Sequence, residues 1–236
     1  MTTRTLLLAI AFLTGLAGFA RADDLTLGTE TVSFAPGTDY CALDGQQYEY
    51  DRLMTDWQRQ AQAGSNQLVQ IFQNCKSLEA LRQGQQNGKF GRYSIVLMPL
   101  TNGQPTQVPG MTREVLLAEL TKVFNKGVEL DTKSVEQRLN ESLDSVTGQD
   151  NGQININGVK QLGMLDQDPN AIYQGLVLTA SANEQTTVTA GIVAMSMVKG
   201  YVVSYNVYDD YVDEGTFTSL LGDAKEAMRT LVENNP

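Results

Sequence analysis

The chain of 236 residues contains no histidine. This absence excludes Ser-His and Cys-His catalysis and zinc sites that need an imidazole ligand. The glycine patterns of esterases, phosphate-binding loops and dinucleotide-binding folds do not occur either, so those activities have no support. Ser196 and Lys199 match Ser-x-x-Lys, but they lie in a β-rich stretch, where alternation would point the two side chains to opposite faces. We therefore interpret this match as a strand end rather than a catalytic pair.

Basic residues are also scarce. The chain has 17 Lys and Arg against 27 Asp and Glu, a formal net charge of -10. A surface without clustered cationic side chains argues against a nucleic-acid partner and against binding to an anionic membrane face. The simplest explanation of the acidity is that it keeps an exported protein in solution.

The longest apolar run stands at the start of the chain. Arg4 precedes apolar residues at 6–20, and the following Ala-Arg-Ala at 20–22 has the small-x-small pattern of a cleavage site. We predict that residues 1–22 are a signal peptide and that the mature protein is periplasmic or secreted, with no stable membrane insertion. A membrane anchor is the alternative, but the run is too short to span a bilayer comfortably.

Cys41 and Cys75 are the only cysteines. In an exported chain, two cysteines predict one disulfide bond rather than two free thiols. Closing the loop between them would stabilise the fold by about 4 kcal/mol through the entropy of the unfolded chain. A redox pair is the alternative, but such pairs usually have close Cys-x-x-Cys spacing, which is missing here.

The last third of the chain predicts a β-meander followed by a helix. Residues rich in Val, Ile, Thr, Tyr and Met fill 175–182, 186–198 and 201–209, with turn residues between them. In the third segment, we expect Tyr201, Val203, Tyr205 and Val207 on a buried face, and the alternate residues on a half-exposed one. Apolar residues then recur at three- and four-residue steps, as on an amphipathic helix: Phe217, Leu220, Leu221, Ala224, Met228, Leu231 and Val232.

The upstream sequence predicts further strands and helices. We predict strands at 25–34, 93–98 and 158–165, helices at 48–63 and 77–82, and either a strand or a helical turn at 68–72. Residues 99–110 hold three of the six prolines, which excludes a helix or a central strand there. Thr112 and Asp131 then begin two helices that form a hairpin ending near residue 146.

We therefore predict an α+β fold, with an antiparallel sheet, the C-terminal meander, the final helix and the helical hairpin. Residues 23–236 form a single domain in this interpretation. Division into two subdomains near 99–111 is the alternative.

Four acids between the third strand and the last helix are the sharpest candidate site. Asp209, Asp210, Asp213 and Glu214 could supply the oxygen ligands that Ca²⁺ prefers, although no EF-hand pattern is matched. The competing interpretation is that these acids favour the positive end of the dipole of the helix that they precede. No other cofactor is indicated.

The N-terminal third carries a resemblance. The stretches 32–37 and 40–44, then 66–75 and 81–82, resemble a group of exported bacterial proteins with a Gly-x-Cys-x-Leu-Asp-like start and a second cysteine downstream. No activity comes with this resemblance. The meander with its final helix is similar to the PsbP-like fold, which implies an architecture and no functional residue.

These observations favour a non-catalytic accessory or binding protein of the bacterial envelope, with an envelope protein as its partner. The alternative is a hydrolase that works without histidine, or a calcium-dependent enzyme that uses the acids at 209–214. A deep pocket lined by carboxylates around Asp209 or Asp210 would favour an enzyme.

Overall fold

The computed structural model describes residues 23–85, 91–125, 131–147, 154–182 and 185–236. The predicted signal peptide lies outside these ranges, as does the turn expected at 183–184. The strands are β1 (Asp23–Leu27), β2 (Glu30–Phe34), β3 (Tyr40–Ala42), β4 (Asn66–Asn74), β5 (Tyr93–Thr101), β6 (Gln104–Pro105), β7 (Asn155–Gln167), β8 (Ile172–Ala182), β9 (Gln185–Val198) and β10 (Tyr201–Asp210). The helices are α1 (Glu49–Gln62), α2 (Cys75–Arg82), α3 (Arg113–Asn125), α4 (Thr132–Thr147) and α5 (Glu214–Glu233). Within the described ranges, no helix is long and apolar enough to cross a bilayer.

One antiparallel sheet dominates the fold. Its strand order is β3-β4-β5-β10-β9-β8-β7, and the short β6 pairs with β5. Strands β8, β9 and β10 are successive antiparallel neighbours and α5 follows them, so the predicted α+β class, C-terminal meander and final helix are confirmed. The last strand in the sequence, β10, thus lies in the middle of the sheet, between β5 and β9.

The first face of the sheet is covered by α5 and by the hairpin of β1 and β2. Tyr205 and Val207 of β10 are fully buried on this face, beside Ile192 of β9. The apolar stripe of α5 packs against them, and the exposure of its central residues is at most 1%: Leu220, Ala224, Met228 and Leu231. The three- and four-residue spacing therefore identified the face of α5 that lies on the sheet.

The second face of β10 is not half-exposed, contrary to the expectation from alternation. Three of its residues are only 5%, 5% and 8% exposed: Val202, Ser204 and Asn206. Helices cover this side of the sheet too, because Leu78 of α2 and Met54 of α1 pack in one cluster with Leu97 of β5. Leu97 pairs with Ser204 and so points to the same side.

Helices α3 and α4 follow each other in sequence, as predicted, but their main contacts are with other elements. Helix α3 packs on β7, β8 and β9, whereas α4 packs on α1 and β7. The indole Nε1 of Trp57 in α1 donates a hydrogen bond of 3.2 Å to the carbonyl oxygen of Leu139 in α4. In α3 the buried residues are Leu116 and Leu117, whereas Val115 is 48% exposed, so these two leucines mark the face of α3 that packs on the sheet.

The predicted strand at 25–34 is two strands joined by a tight turn. Gly28 has a φ of 62°, and a Cβ built on it would lie 2.3 Å from the ring of Tyr201. The Tyr201 hydroxyl accepts a hydrogen bond of 3.2 Å from the backbone N–H of Thr29. The hairpin is thus fixed against the start of β10, which requires glycine at its turn.

Strand β5 continues through Pro99, contrary to the prediction that the prolines at 99–110 exclude a central strand. Strand β10 pairs with β5 only as far as Leu97, so the missing N–H of Pro99 breaks no bond between these two strands. On the other side, the N–H of Leu100 donates to the carbonyl oxygen of Ser65 at 2.9 Å. Strands on both sides of 99–111 belong to the same sheet.

A buried ion pair joins α1 to α2. Asp51 is fully buried, and its carboxylate accepts hydrogen bonds from Nε and Nη2 of Arg82 at 3.1 and 2.5 Å. The same carboxylate accepts from the backbone N–H of Asp44 at 2.6 Å. Because each oxygen has a donor, the buried charge is satisfied, and the pair fixes the loop before α1 against α2.

The end of the chain is clamped to the N-terminal hairpin. Asn235 is 5% exposed, and its side chain accepts from the N–H of Ser33 at 3.0 Å and donates to the carbonyl oxygen of Ser33 at 2.8 Å. Its amide nitrogen also donates to the carbonyl oxygen of Leu231 at 2.7 Å. The side chain therefore imitates a neighbouring strand along the edge of β2.

We expect Asn235→Ala to lower the free energy of unfolding by about 1–3 kcal/mol, because both backbone groups of Ser33 lose their partner. Asn234→Ala is the matched control: Asn234 is exposed, so its change should stay within about 0.5 kcal/mol. Urea denaturation of both variants measures the difference. Equal losses in the two variants would contradict the clamp.

Burial raises the pKa of two tyrosines that pack on the second face of the sheet. Burial raises the pKa of Tyr50 to about 12, although its hydrogen bond to Gln73 acts to lower that pKa. It raises the pKa of Tyr208 to about 12 as well. The unfolded chain ionises its tyrosines near pH 10, so between these values the folded protein holds more protons than the unfolded one. Stability from these hydroxyls is complete below about pH 10 and is lost as the pH rises toward 12.

We expect the urea midpoint to fall between about pH 10 and about pH 12, in parallel with the appearance of phenolate absorbance on unfolding. Tyr50→Phe removes one of the ionising groups. The slope of its midpoint against pH should therefore be shallower than that of the unaltered protein. A midpoint that does not change over this range would refute the assignment.

Candidate functional site

A cleft of about 700 Å³ opens beside the first face of the sheet. Its walls are the segment before β3, the start of α2, the residue before β5, the end of β10 and the polar side of α5. The lining residues are Ala35, Pro36, Gly37, Thr38, Asp39, Tyr40, Asn74, Ser77, Arg92, Asp209, Asp223, Glu226 and Thr230. Four of them carry a carboxylate and one carries a guanidinium, so the cleft is acidic.

Arg92 is the centre of the charged groups. Its Nε donates to Asp209 at 2.9 Å and its Nη1 donates to Asp223 at 2.9 Å. Burial lowers the pKa of Arg92, but the bond to Asp209 and the charge of Asp223 outweigh it and leave the pKa raised. The guanidinium is thus permanently charged, and it ties the end of β10 to the middle of α5.

Tyr40 completes this group from the opposite wall. Its hydroxyl donates to the Asp223 carboxylate at 2.9 Å. Burial, then the nearby Tyr205 and Asp223, raise the pKa of Tyr40 far above its usual range, so the hydroxyl stays a donor. The hydroxyls of Tyr205 and Ser94 are buried, and neither makes a well-formed hydrogen bond to a described residue. Burial raises the pKa of Tyr205, and the nearby Ser94 hydroxyl acts in the opposite direction.

The other two carboxylates differ from each other. Glu226 is held by Arg229, whose Nη2 and Nε lie 2.6 and 3.1 Å from its oxygens. Asp39 is exposed, and within the described ranges its carboxylate has neither a hydrogen bond nor an ion pair. Three of the four carboxylates in the cleft are therefore already paired with an arginine.

The predicted disulfide bond between Cys41 and Cys75 is confirmed. Cys41 follows Tyr40 in β3, and Cys75 begins α2 between the cleft residues Asn74 and Ser77. The N–H of Cys75 also donates to the carbonyl oxygen of Asp39 at 2.8 Å. The disulfide therefore fixes the wall of the cleft that carries Asp39 and Tyr40.

Three of the four acids proposed for calcium have separate structural roles. Asp209 is bound by Arg92, and Asp213 caps α5 by accepting from the N–H of Gly215 at 2.8 Å in a capping box with Thr216. Glu214 lies in the first turn of α5, so the helix interpretation accounts for this pair. No group of three or more metal-ligating side chains is assembled in the parts of the chain that the structure describes. Calcium binding at Asp209, Asp210, Asp213 and Glu214 stays a prediction without support from this geometry.

The Ser-x-x-Lys match is not a catalytic pair. Ser196 is fully buried in β9, where its hydroxyl donates to the carbonyl oxygen of Asn170. Lys199 lies in the turn after β9, and its Nζ donates to the carbonyl oxygen of Pro236 at 2.7 Å. The two side chains therefore have separate structural partners.

Sequence reasoning identified Asp209 but missed Arg92, Tyr40 and Asp223. No spacing rule connects these positions, because the sheet brings them together from four separate segments. Asp223 gave no signal either, because it lies on the polar side of α5 with Glu226 and Thr230, where a charged residue is expected on an amphipathic helix.

Comparison with known proteins adds little to this geometry. No family model and no curated protein matches the chain. Among solved structures, a class D β-lactamase from Fusobacterium nucleatum subsp. polymorphum is similar at 11% identity and a TM-score of 0.21. The match covers 50% of this chain and 40% of that one. A score this low does not show a common fold.

We expect Arg92→Gln to lower the free energy of unfolding by about 1–3 kcal/mol, because it leaves two half-buried carboxylates facing each other without a cation. Arg59→Gln is the matched control. Arg59 pairs with Asp56 on an exposed helix surface, which is worth at most about 1 kcal/mol. Thermal denaturation at low and high salt measures both variants. An equal loss of stability in the two would contradict the central role of Arg92.

Proposed function

We propose that the protein is an exported accessory protein that binds a cationic group in the acidic cleft and performs no chemistry on it. The observation that carries this proposal is the charge of the cleft, with four carboxylates around one arginine. A cleft lined by one sign of charge concentrates ligands of the opposite sign. The ligand is therefore an amine or a guanidinium, presented by a small molecule or by an envelope protein.

The pairing of the carboxylates favours binding over catalysis. A general acid and a general base must each exchange a proton with the substrate. Asp209 and Asp223 share Arg92, and Glu226 pairs with Arg229. Of the four carboxylates in the cleft, only that of Asp39 has no pairing cation among the described residues. A single carboxylate suits the recognition of a cation better than the two-carboxylate chemistry of a glycosidase.

The compartment is part of the same proposal. The disulfide bond between Cys41 and Cys75 is of the kind that persists outside the cytosol. Together with the signal peptide predicted at residues 1–22, it supports export to the periplasm or beyond. There the protein would act beside an envelope partner, and isolation of the native mature protein with its bound proteins would identify that partner.

A hydrolase is the second candidate, because a carboxylate-lined cleft at Asp209 is the feature that sequence analysis associates with an enzyme. In that case Asp39 and Glu226 would be the reacting groups. A calcium-dependent enzyme would in addition bind the ion at the acids at 209–214. Hydrolysis of an ester or glycoside that is lost in both Asp39→Asn and Glu226→Gln would favour this candidate over binding.

Spermidine is a suitable probe of the cation site. We expect isothermal titration to show saturable binding that weakens with added salt. Asp39→Asn should weaken it about two- to fivefold, the value of an exposed charge pair. The control is Glu114→Gln, which removes an exposed acid at the start of α3, outside the cleft. No binding, or equal weakening by both variants, would refute the proposal.

A further inference from the structure

Strand β4 is only half covered along its outer edge. Its inner edge pairs with β5 from Asn66 to Gln73. Its outer edge pairs with β3 at three positions only, the last of them Phe72 with Ala42, and the N–H of Leu43 adds one bond to the carbonyl oxygen of Ile71 at 2.9 Å. Along residues 66–70, no other strand of the described chain pairs with that edge, although β1 packs beside β4.

The direction of the peptide groups can be derived from one contact. The N–H of Leu100 donates to the carbonyl oxygen of Ser65, so the peptide groups of Ser65 face β5. Successive residues of a strand direct their peptide groups to alternate edges. The N–H and C=O groups of Asn66 and Leu68 therefore face outward, where an incoming strand could pair with them, and the bulge at Val69 ends this short free edge.

A groove of about 600 Å³ runs along the same edge. Leu68 in its floor is half-buried, whereas Leu25 and Leu43 are only 4% and 6% exposed, and its sides are the start of β1 and the exposed side of α1. A strand rises about 3.4 Å per residue, so three to five residues of extended chain match the free edge. The groove lies at a different edge of the fold from the acidic cleft and shares no lining residue with it.

The charges of the groove determine which chain it suits. Its carboxylates belong to Asp23, Asp24, Asp44 and Asp56. Its two arginines are already engaged: Arg59 pairs with Asp56 at 2.6 Å and Arg52 with Glu49 at 3.8 Å. Within the described chain, the carboxylates of Asp23 and Asp24 have no such partner. These two acids would face the side chains of an added strand.

We propose that this edge of β4 is a docking site for a short extended segment of a partner protein that alternates apolar and basic residues. The segment adds a strand beside Asn66 and Leu68, an apolar side chain meets the half-buried Leu68, and its lysines or arginines meet Asp23 and Asp24. A second copy of this chain does not fit, because pairing the same edge twice would bring like carboxylates together. The bulge at Val69 limits the contact to a few residues, which suits a transient partner.

Peptides with the repeat Lys-Val-Lys-Val-Lys and Glu-Val-Glu-Val-Glu, each with a fluorescent label, test the proposal on the full mature protein by fluorescence anisotropy. We expect the lysine peptide to bind and the glutamate peptide to bind at least tenfold more weakly. Asp24→Asn should weaken the lysine peptide about two- to fivefold. Glu114→Gln is again the control, because Glu114 lies outside the groove.

Backbone methylation separates strand pairing from simple charge attraction. Only one edge of the peptide would face β4, and residue 3 directs its N–H to the opposite edge from residues 2 and 4. One peptide is therefore N-methylated at residues 2 and 4, and a second at residue 3 alone. Methylation on the edge that faces β4 should abolish binding, and methylation on the other edge should leave it unchanged. Amide signals of Asn66 and Leu68 should shift in nuclear magnetic resonance spectra on binding. Equal tolerance of both methylations, equal binding of the glutamate peptide, or shifts confined to another surface would overturn the proposal.

Discussion

Burial of β10 on both faces is the constraint on which the rest of the structure depends. A strand that is buried on both faces needs a layer on each side, and one helix cannot supply both. Helix α5 and the β1–β2 hairpin cover one face of the sheet, and α1 and α2 pack on the other face beside β10. The long-range clamps follow from this arrangement, because elements from both ends of the chain must meet around one strand. Asn235 fixes Ser33 on the first side, and Asp51 fixes Arg82 on the second.

The acidic cleft lies at the rim of this three-layer arrangement, where the layers end. Asp209 lies one residue before the end of β10, Asp223 belongs to α5 and Tyr40 belongs to β3, and Arg92 joins the first two. A guanidinium with two carboxylates is a rigid junction, since its planar fork fixes both partners. The junction therefore serves the fold first, and the acidic surplus around it gives the cleft its charge.

The sequence was most informative where a single periodicity decides the structure. The apolar steps of α5 and the β-rich segments before it predicted the meander and the helix that covers it. Alternation in β10 failed on the second face because a sequence does not show which other elements will cover a strand. Gly28 was the overlooked sign of the N-terminal turn, and Pro99 was given too much weight because the extent of strand pairing was not known. The cleft could not be predicted, since Tyr40, Arg92, Asp209 and Asp223 meet only through the order of the strands.

The position of β10 also has a consequence for the order of folding. It is the last strand to be synthesised, yet β5 and β9 come into one sheet only through it. Until it arrives, the inner edge of β5 stays open, and the N-terminal segments, even when joined by the disulfide bond, have only half a sheet to pack against. Sheets closed by such distant pairings form slowly, and their open edges invite association with other chains. A protein of this design would gain from a chaperone until its C-terminal segment is in place.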